Sequence, residues 1–305
     1  MWAVRLHEYG GKDAVKVDEV APPAPGPGEV LVRVRAAGVN PVDWKIREGQ
    51  RRERMPLLLP VVLGCDLSGT VEATGAGVSG LHAGDAVFGS TGLHGAFAEL
   101  VVVKGDQVVR VPPGLDHVKA GAVPLAALTA WQALHLGGVA PGQRVLVHAA
   151  SGGVGGFAVP LARALGAAVT GTASAANLSY VRQLGATALD YRSDRFEDAE
   201  PFDLVLDLVG GDTQDRSWAV LAPGGVLVSS IAVPAPDDPK LAGRRAVRVG
   251  VRPVGADLAE VARLIGTGQV PVHVAATLPF TEAAEALERV RIGLGAPGKL
   301  VLVAP

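Results

Sequence analysis

Short apolar runs recur along the whole chain, and the spacing between them changes near residue 112. Before that point apolar and polar side chains alternate, most cleanly in EVLVRVR at 29–35, which is the pattern of a strand with one buried face. Residues 2–6, 15–20, 29–35, 61–63, 69–73, 85–88 and 100–103 are predicted strands, joined by glycine and proline turns such as the stiff stretch 21–28. One helix interrupts them: Asn40 takes the N-cap position, Pro41 the first turn, and Gly49 ends it. After Pro112-Pro113-Gly114 the spacing lengthens. Residues 119–136 read as a helix, and the apolar runs 144–149, 168–172, 187–191, 204–209, 226–231 and 246–251 are set apart by helix-length segments, with a helix at 257–265 closing the region. Continuous apolar strands alternating with helices predict a doubly wound parallel sheet. The runs 272–280 and 300–303, with a helix at 282–290 between them, have no place in that sheet and are expected to return to the first domain.

The turn after the run 144–149 carries the densest chemistry. Ser151-Gly152-Gly153-Val154-Gly155 connects a strand to an Ala/Leu-rich helix that ends at Leu165-Gly166, and a second strand follows. Gly152 lets backbone approach a pyrophosphate, Gly155 lets the helix pack close to the strand, and the helix's first N–H groups face the phosphate charge. The usual first glycine is Ala150, and Pro160 lies well inside the helix, where it removes one backbone bond and should bend it. A dinucleotide site normally meets NAD with an acid about 20 residues beyond the glycines. From Gly156 through Leu189 this chain has no Asp or Glu, and Ser174 stands where the acid would be, with Asn177 shortly after. Hydroxyl and amide groups, with Arg182 or Arg192 nearby, suit the 2′-phosphate of NADPH, which an acid would repel.

Composition narrows the setting. The chain has 305 residues, 49% of them hydrophobic, enough for two domains with large cores. A formal net charge of −2 supplies no electrostatic reason for nucleic acid or an anionic membrane. One cysteine excludes a disulfide framework and a Cys-rich zinc site, which fits a reducing cytoplasm. The opening MWAVRLHEYGGKDAV lacks the apolar core of a signal peptide. The stretch 120–143 has no formal charges, but Pro124, Gln132, His135, Gly137, Gly138 and Pro141 interrupt it, so a buried helix and loop are expected rather than a membrane span.

The stretches PGPGEVLVRVRAAGVNPVDWKIREG, PVVLGCDLSGTVEATGAGV, AGDAVFG, GAVPLAALTAWQAL and VLVHAASGGVG, with LGAT and GKLVLV, together resemble the medium-chain dehydrogenase/reductase superfamily in its zinc-free quinone oxidoreductase branch. The resemblance spans nearly the whole chain. It implies an α/β architecture: a GroES-like, β-rich catalytic domain over 1–116 and 271–305, and a Rossmann domain over 117–270 with NADPH in the cleft between them. It implies reduction of quinones, or of carbon–carbon double bonds conjugated to a carbonyl, and a homodimer formed through the open edge at 246–251. By the same resemblance Thr129, Val209, Gly210 and Ile231 lie along the nicotinamide, and Ser174, Asn177 and Tyr191 hold the 2′-phosphate with neutral groups. A lysine common in that branch is replaced by Asn177 here. In the zinc-dependent branch, ligands occupy the places of Asn40 and Cys65, and a third falls near Leu125; these residue types do not form that site.

Each remaining candidate carries two readings. Asn40 is a helix cap, and the family places it beside nicotinamide and substrate. Asp43 complements the helix dipole, while Asp43 or Lys45 could also polarise or protonate substrate. Thr129 is either a helix hydroxyl bonded to backbone or a cofactor contact. Cys65 reads as a small buried residue, and Asp66 beside it completes no metal set. Loops near Met55, His94 and Leu294 are expected to shape the substrate pocket. Two rival functions remain: a non-catalytic NADPH-binding protein, and a serine hydrolase in which Ser151, Asp207 and His273 follow in hydrolase order.

Overall fold

The structure is a computed structural model that describes residues 1–53, 56–235, 238, 241, 243–293 and 295–304. Six parallel strands form the sheet of the nucleotide domain, in the spatial order Thr187–Asp190, Ala168–Ala173, Arg144–Val147, Phe202–Asp207, Leu221–Ser229 and Arg245–Arg248. Counted from the first of them in the chain, the order is that of a dinucleotide-binding sheet, with its switch between Arg144–Val147 and Phe202–Asp207. Successive side chains serve opposite layers, as period two demands. Val145, Val147, Leu204 and Leu206 join one core with the helices Pro124–Gly137, Gly155–Ala164 and Gly255–Gly266. Leu146, Val205 and Leu227 join another around Phe196, Phe202 and Trp218.

The β-rich domain has a seven-stranded sheet. Val274–Pro279, Lys299–Val303, Glu29–Gly38, Asp66–Thr74, Ala86–Ser90 and Val108–Arg110 follow in that order, and Leu100–Lys104 pairs with Glu29–Gly38 off the main path. A three-stranded antiparallel sheet of Val15–Glu19, Trp2–Leu6 and Val61–Val62 lies alongside. The two late strands therefore return to the first domain as the sequence predicts, and Lys299–Val303 pairs antiparallel with Glu29–Gly38. This return brings the chain's last strand against the glycine loop: the Gly298 N–H donates to the Ser151 carbonyl at 3.2 Å.

Three local expectations change. The predicted helix 119–136 is two helices, His117–Gly121 and Pro124–Gly137, because Pro124 supplies no N–H to continue the first and opens the second well. Val108–Arg110 is a strand too short to show in the pattern. The run 246–251 contributes Arg245–Arg248, the edge strand of the parallel sheet. The phosphate-loop helix Gly155–Ala164 continues through buried Pro160, which gives up one backbone donor within it. Among the described residues no helix is long and apolar enough to cross a membrane.

His148, just past the first parallel strand, is buried against strand and helix. Its Nδ1 lies 3.1 Å from Thr172 Oγ1 and its Nε2 2.9 Å from Ser217 Oγ. Ser217 gives its own proton to the Thr213 carbonyl at 2.6 Å, so Nε2 donates and the imidazole is neutral. Burial pushes His148 down to about 4, with Arg216 adding to the shift and Asp207 opposing it. The unfolded chain takes up this proton near pH 6.5 and the folded chain only near 4, so the contribution is whole above 6.5 and is lost as pH falls toward 4. In His148→Gln that acid loss should shrink by about 3 kcal/mol, the value of a shift of this size. Thermal melts of both proteins across this range check it; parallel pH profiles would contradict it.

Candidate active site

A cleft of about 320 Å³ opens where the two domains meet. Ser151, Gly152, Gly153, Val154 and Asn177 form one wall, and Val39, Asn40 and Lys299 the other.

The nucleotide wall is built by close packing. A Cβ on Gly155 would stand 2.3 Å from the Ala149 carbonyl oxygen and 2.6 Å from the Ala150 Cα, so only glycine lets the helix begin here. Ala149 itself takes a left-handed φ of 50°, a conformation that costs an alanine roughly 1 kcal/mol. Among the described residues the N–H groups of Gly153, Val154 and Gly155 have no acceptor in the chain. Free donors at a helix start, in a loop with no acidic side chain, make a cradle that fits a pyrophosphate. Beside it, the Asn177 amide donates to Ser151 Oγ at 3.4 Å. Ser174 ends the strand Ala168–Ala173, and the next register position on the neighbouring strand brings Tyr191, whose N–H meets the Ala173 carbonyl at 3.1 Å. Tyr191 is half exposed, with the Arg192 guanidinium 5.4 Å from its ring centre. Asp190, one position earlier, has a carboxylate oxygen turned to the Arg192 N–H at 3.1 Å within its own turn.

Val209 and Ile231 are exposed at the C-terminal ends of Phe202–Asp207 and Leu221–Ser229, outside the cleft lining, and Gly210 lies between them with φ of 79°. Buried Asp207 sets this edge. One of its oxygens accepts from the Val209 and Gly210 N–H groups at 3.0 and 2.8 Å, the other from Gln214 Nε2 and Ser229 Oγ at 2.7 and 2.8 Å. Asp207 is thus spent on its own loop and His273 packs on the Tyr180 ring, so the hydrolase arrangement is not assembled.

The opposite wall contains a buried polar cluster that sequence reasoning saw only in part. At the start of Pro41–Arg47 the Asp43 side chain makes half of a capping box, accepting the Asn40 N–H on Oδ2 at 2.7 Å. The Asp43 N–H goes to the Asn40 backbone carbonyl at 3.0 Å and the Asn40 side chain makes no cap bond, which corrects its expected role as the cap. The Asn40 side-chain amide points the other way. Its Nδ2 donates to Asp66 Oδ2 at 2.8 Å and to the Gly38 carbonyl at 3.2 Å, while its Oδ1 accepts a short bond from the Lys299 ammonium. Lys299 also donates to the Val39 carbonyl at 2.9 Å and stands 4.0 Å from Asp66 Oδ2. The other Asp66 oxygen accepts the Leu125 N–H at 2.9 Å. The amide donor of Asn40 is therefore committed to Asp66, which corrects its expected role as the donor facing substrate.

Two further expectations meet different outcomes. Thr129 donates to the Leu125 carbonyl at 2.7 Å, the backbone role, and Ala126 lines the cleft instead. Lys45 lies away from the cleft, its ammonium 5.5 Å from the Trp44 ring centre, and burial lowers its proton affinity. Met55 and Leu294 lie outside the described residues; Gly295 and Ala296 next to Leu294 line the cleft. Lys299 was missed because a lone lysine opening the apolar strand KLVLV reads as a solvated strand end. The signal was the preceding GCDLSG, an acid at the head of a buried strand that needs a partner elsewhere.

Burial organises the charges. It pushes Asp43 up to about 8, aided by Asp66 and opposed by the Asn40 N–H and Lys299, and raises Asp66 to about 6. Burial and the two carboxylates hold the Cys65 thiol well above its ordinary value, so it is no thiolate. Near neutral pH Asp43 keeps its proton and Asp66 is the carboxylate that faces Lys299, whose proton affinity burial lowers and Asp66 raises. A carboxyl raised on folding contributes stability that is whole below pH 3.8 and is lost as pH rises through 8. Asp43→Asn removes that loss and keeps an oxygen for the Asn40 N–H. The variant should therefore gain on the wild type steadily as pH rises from acid to alkaline; urea unfolding at several pH values checks this, and a pH-independent difference would contradict it.

Comparison with known proteins agrees with this geometry. Residues 26–113 match the family model of the alcohol dehydrogenase GroES-like domain, and residues 184–302 that of the zinc-binding dehydrogenases. The chain is 31% identical to the human quinone oxidoreductase, over 99% of this chain and 98% of that protein. It is 41% identical to a chloroplastic quinone-oxidoreductase homolog of Spinacia oleracea, over 63% of this chain and 62% of that one, so that match spans less than two thirds of the relative. Among solved structures, the Escherichia coli quinone oxidoreductase complexed with NADPH superposes with a TM-score of 0.88 at 28% identity, covering 99% of this chain and all of the other. The CurK enoyl reductase superposes with a TM-score of 0.90 at 26% identity, covering 100% of this chain and 99% of that one. The chain belongs to the medium-chain dehydrogenase/reductase superfamily, in its quinone-oxidoreductase-like branch of NAD(P)H-dependent oxidoreductases.

Proposed function

We propose that the protein is a zinc-independent, NADPH-dependent oxidoreductase that reduces a quinone or an α,β-unsaturated carbonyl compound. The observation that carries this reading is the shared cleft, with the phosphate-binding glycine loop on one wall and the buried Asn40–Asp66–Lys299 cluster on the other. The loop and the N–H groups of Gly153 to Gly155 would hold the pyrophosphate, and Ser174, Asn177 and Tyr191 the 2′-phosphate. When bound, the nicotinamide supplies a hydride with both of its electrons. Val209, Gly210 and Ile231, at the strand ends beyond the cleft lining, would meet the nicotinamide end.

Metal independence is supported by the donor set. Where a divalent ion would sit, the Lys299 ammonium is already inserted between an amide and a carboxylate, and Cys65 keeps its proton. Such a set repels a cation rather than chelating one. A cytoplasmic setting suits the single buried thiol, and the open edge of Arg245–Arg248 suits pairing with a second copy into a homodimer.

The reading is tested by following NADPH oxidation with chelated protein against a panel of quinones, alkenals and cyclic enones. Turnover that survives chelation supports it; loss restored by zinc, or no turnover with any acceptor, contradicts it. NADPH should also bind more tightly than NADH, and Ser174→Asp should invert that order by like-charge repulsion at the 2′-phosphate. Titration of both nucleotides against both proteins checks this; equal affinities in the wild type would refute the phosphate assignment.

A further inference from the structure

We propose, building on the hydride-transfer reading above, that Lys299 meets the negative charge reaching the acceptor oxygen and supplies its proton. Lys299 is the single charged side chain among the described residues lining the cleft. Its stem crosses from the last strand to the glycine loop so closely that a Cβ on Gly153 would stand 2.9 Å from Lys299 Cδ. An ammonium has three N–H donors. Two are taken by the Val39 carbonyl and Asn40 Oδ1, both on the cleft wall, and the nearest Asp66 oxygen at 4.0 Å is beyond hydrogen-bond reach. One N–H is left for a ligand. On the wall that holds Lys299 the side-chain amide of Asn40 is committed, to Asp66 and Gly38; the free N–H groups of Gly153 and Val154 lie on the opposite wall, where they serve the pyrophosphate.

A cation buried to 5% exposure is costly, and an apolar side chain of the same length would fill this space without that cost. The chain instead surrounds it with two carbonyl oxygens and Asp66; burial lowers the proton affinity of Lys299, and Asp66 opposes that only in part. Asp43 and Cys65 lie near enough to act on its charge, and His273 and Tyr180 line a narrow gap beside it.

The chemistry balances. In an enone the new C–H bond forms at the β-carbon, the C=C π pair shifts to the bond between the α-carbon and the carbonyl carbon, and the C=O π pair ends on oxygen. One Lys299 N–H bond then breaks and an O–H bond forms, giving the enol. The enol tautomerises in water to the saturated carbonyl compound by gaining a proton at the α-carbon and losing the one on oxygen. The nitrogen keeps the electron pair as a neutral amine and is reprotonated by water through the open cleft. With a quinone, hydride plus this proton complete the hydroquinone.

4-Nitrophenol, whose phenolate is yellow and whose phenol is colourless, serves as a stable mimic of the acceptor oxyanion. Bound to the wild-type protein with NADP+, it should ionise at least tenfold more readily than in water, and Lys299→Met should abolish that shift. The same variant should lower kcat by about 100-fold, as for loss of a preorganised donor, with KM changed little. Should Lys299→Met unfold because Asp66 is left unpaired, Lys299→Met with Asp66→Asn removes both charges and gives the same reading. Equal ionisation of the probe by variant and wild type, or no ionisation by the wild type, overturns the proposal. If Lys299-dependent ionisation is found but no acceptor oxidises NADPH, the oxyanion site stands and the substrate reading falls. If acceptors turn over and Lys299→Met changes neither readout, the Lys299 proposal alone falls.

Discussion

A lysine ammonium shut away from water has to be met by oxygen atoms from several directions, and that requirement ties this molecule together. Lys299 comes from the last strand, Val39 and Asn40 from the link into the first helix, and Asp66 from the head of a central strand of the same sheet. Asp66 in turn holds the Leu125 N–H at the start of the helix Pro124–Gly137, which packs into the core of the other domain. A hydrogen-bonded path therefore runs from Lys299 through Asn40 and Asp66 to the nucleotide domain, beside one buried charge pair. Removing either charge leaves the other without compensation, so the cluster is far more sensitive to one substitution than to two.

The nucleotide side follows a steric constraint of the opposite kind. Its function depends on what is missing: side chains at Gly153 and Gly155, and acceptors for the N–H groups between them. Lys299 fills the space beside Gly153 with an aliphatic stem, so the cation reaches its oxygen partners only because the loop has no Cβ there. The loop that admits a pyrophosphate is thus also the loop that admits the lysine. One glycine serves both walls of the cleft.

The fold was readable in the chain to the extent that periodicity reports burial. Continuous apolar runs such as that around Val145 and Leu204 announced a sheet covered on both faces, and EVLVRVR a sheet covered on one. Val108–Arg110 escaped because three residues hold no period, and the break before Pro124 because the apolar pattern runs unbroken across it. The glycine loop was legible since each glycine answers a local backbone demand. The polar cluster was not, because Lys299 and Asp66 lie 233 positions apart and pair only after the last strand returns to the first domain. Asn40 shows the same limit in one residue: its position before the helix was visible locally, but its side chain turns from the cap to Asp66 and Lys299.

The most direct test of the account is a single turnover of the protein with C4-deuterated and with ordinary NADPH, at saturating quinone or enone. If the cleft transfers hydride, nucleotide oxidation in that turnover is slower with deuterium at the transferred position, by a factor of a few, and is unchanged with deuterium on the opposite face. Oxidation at the same rate with both labels, or none at all with acceptors of either class, would contradict the claim that the two walls form one hydride-transfer site.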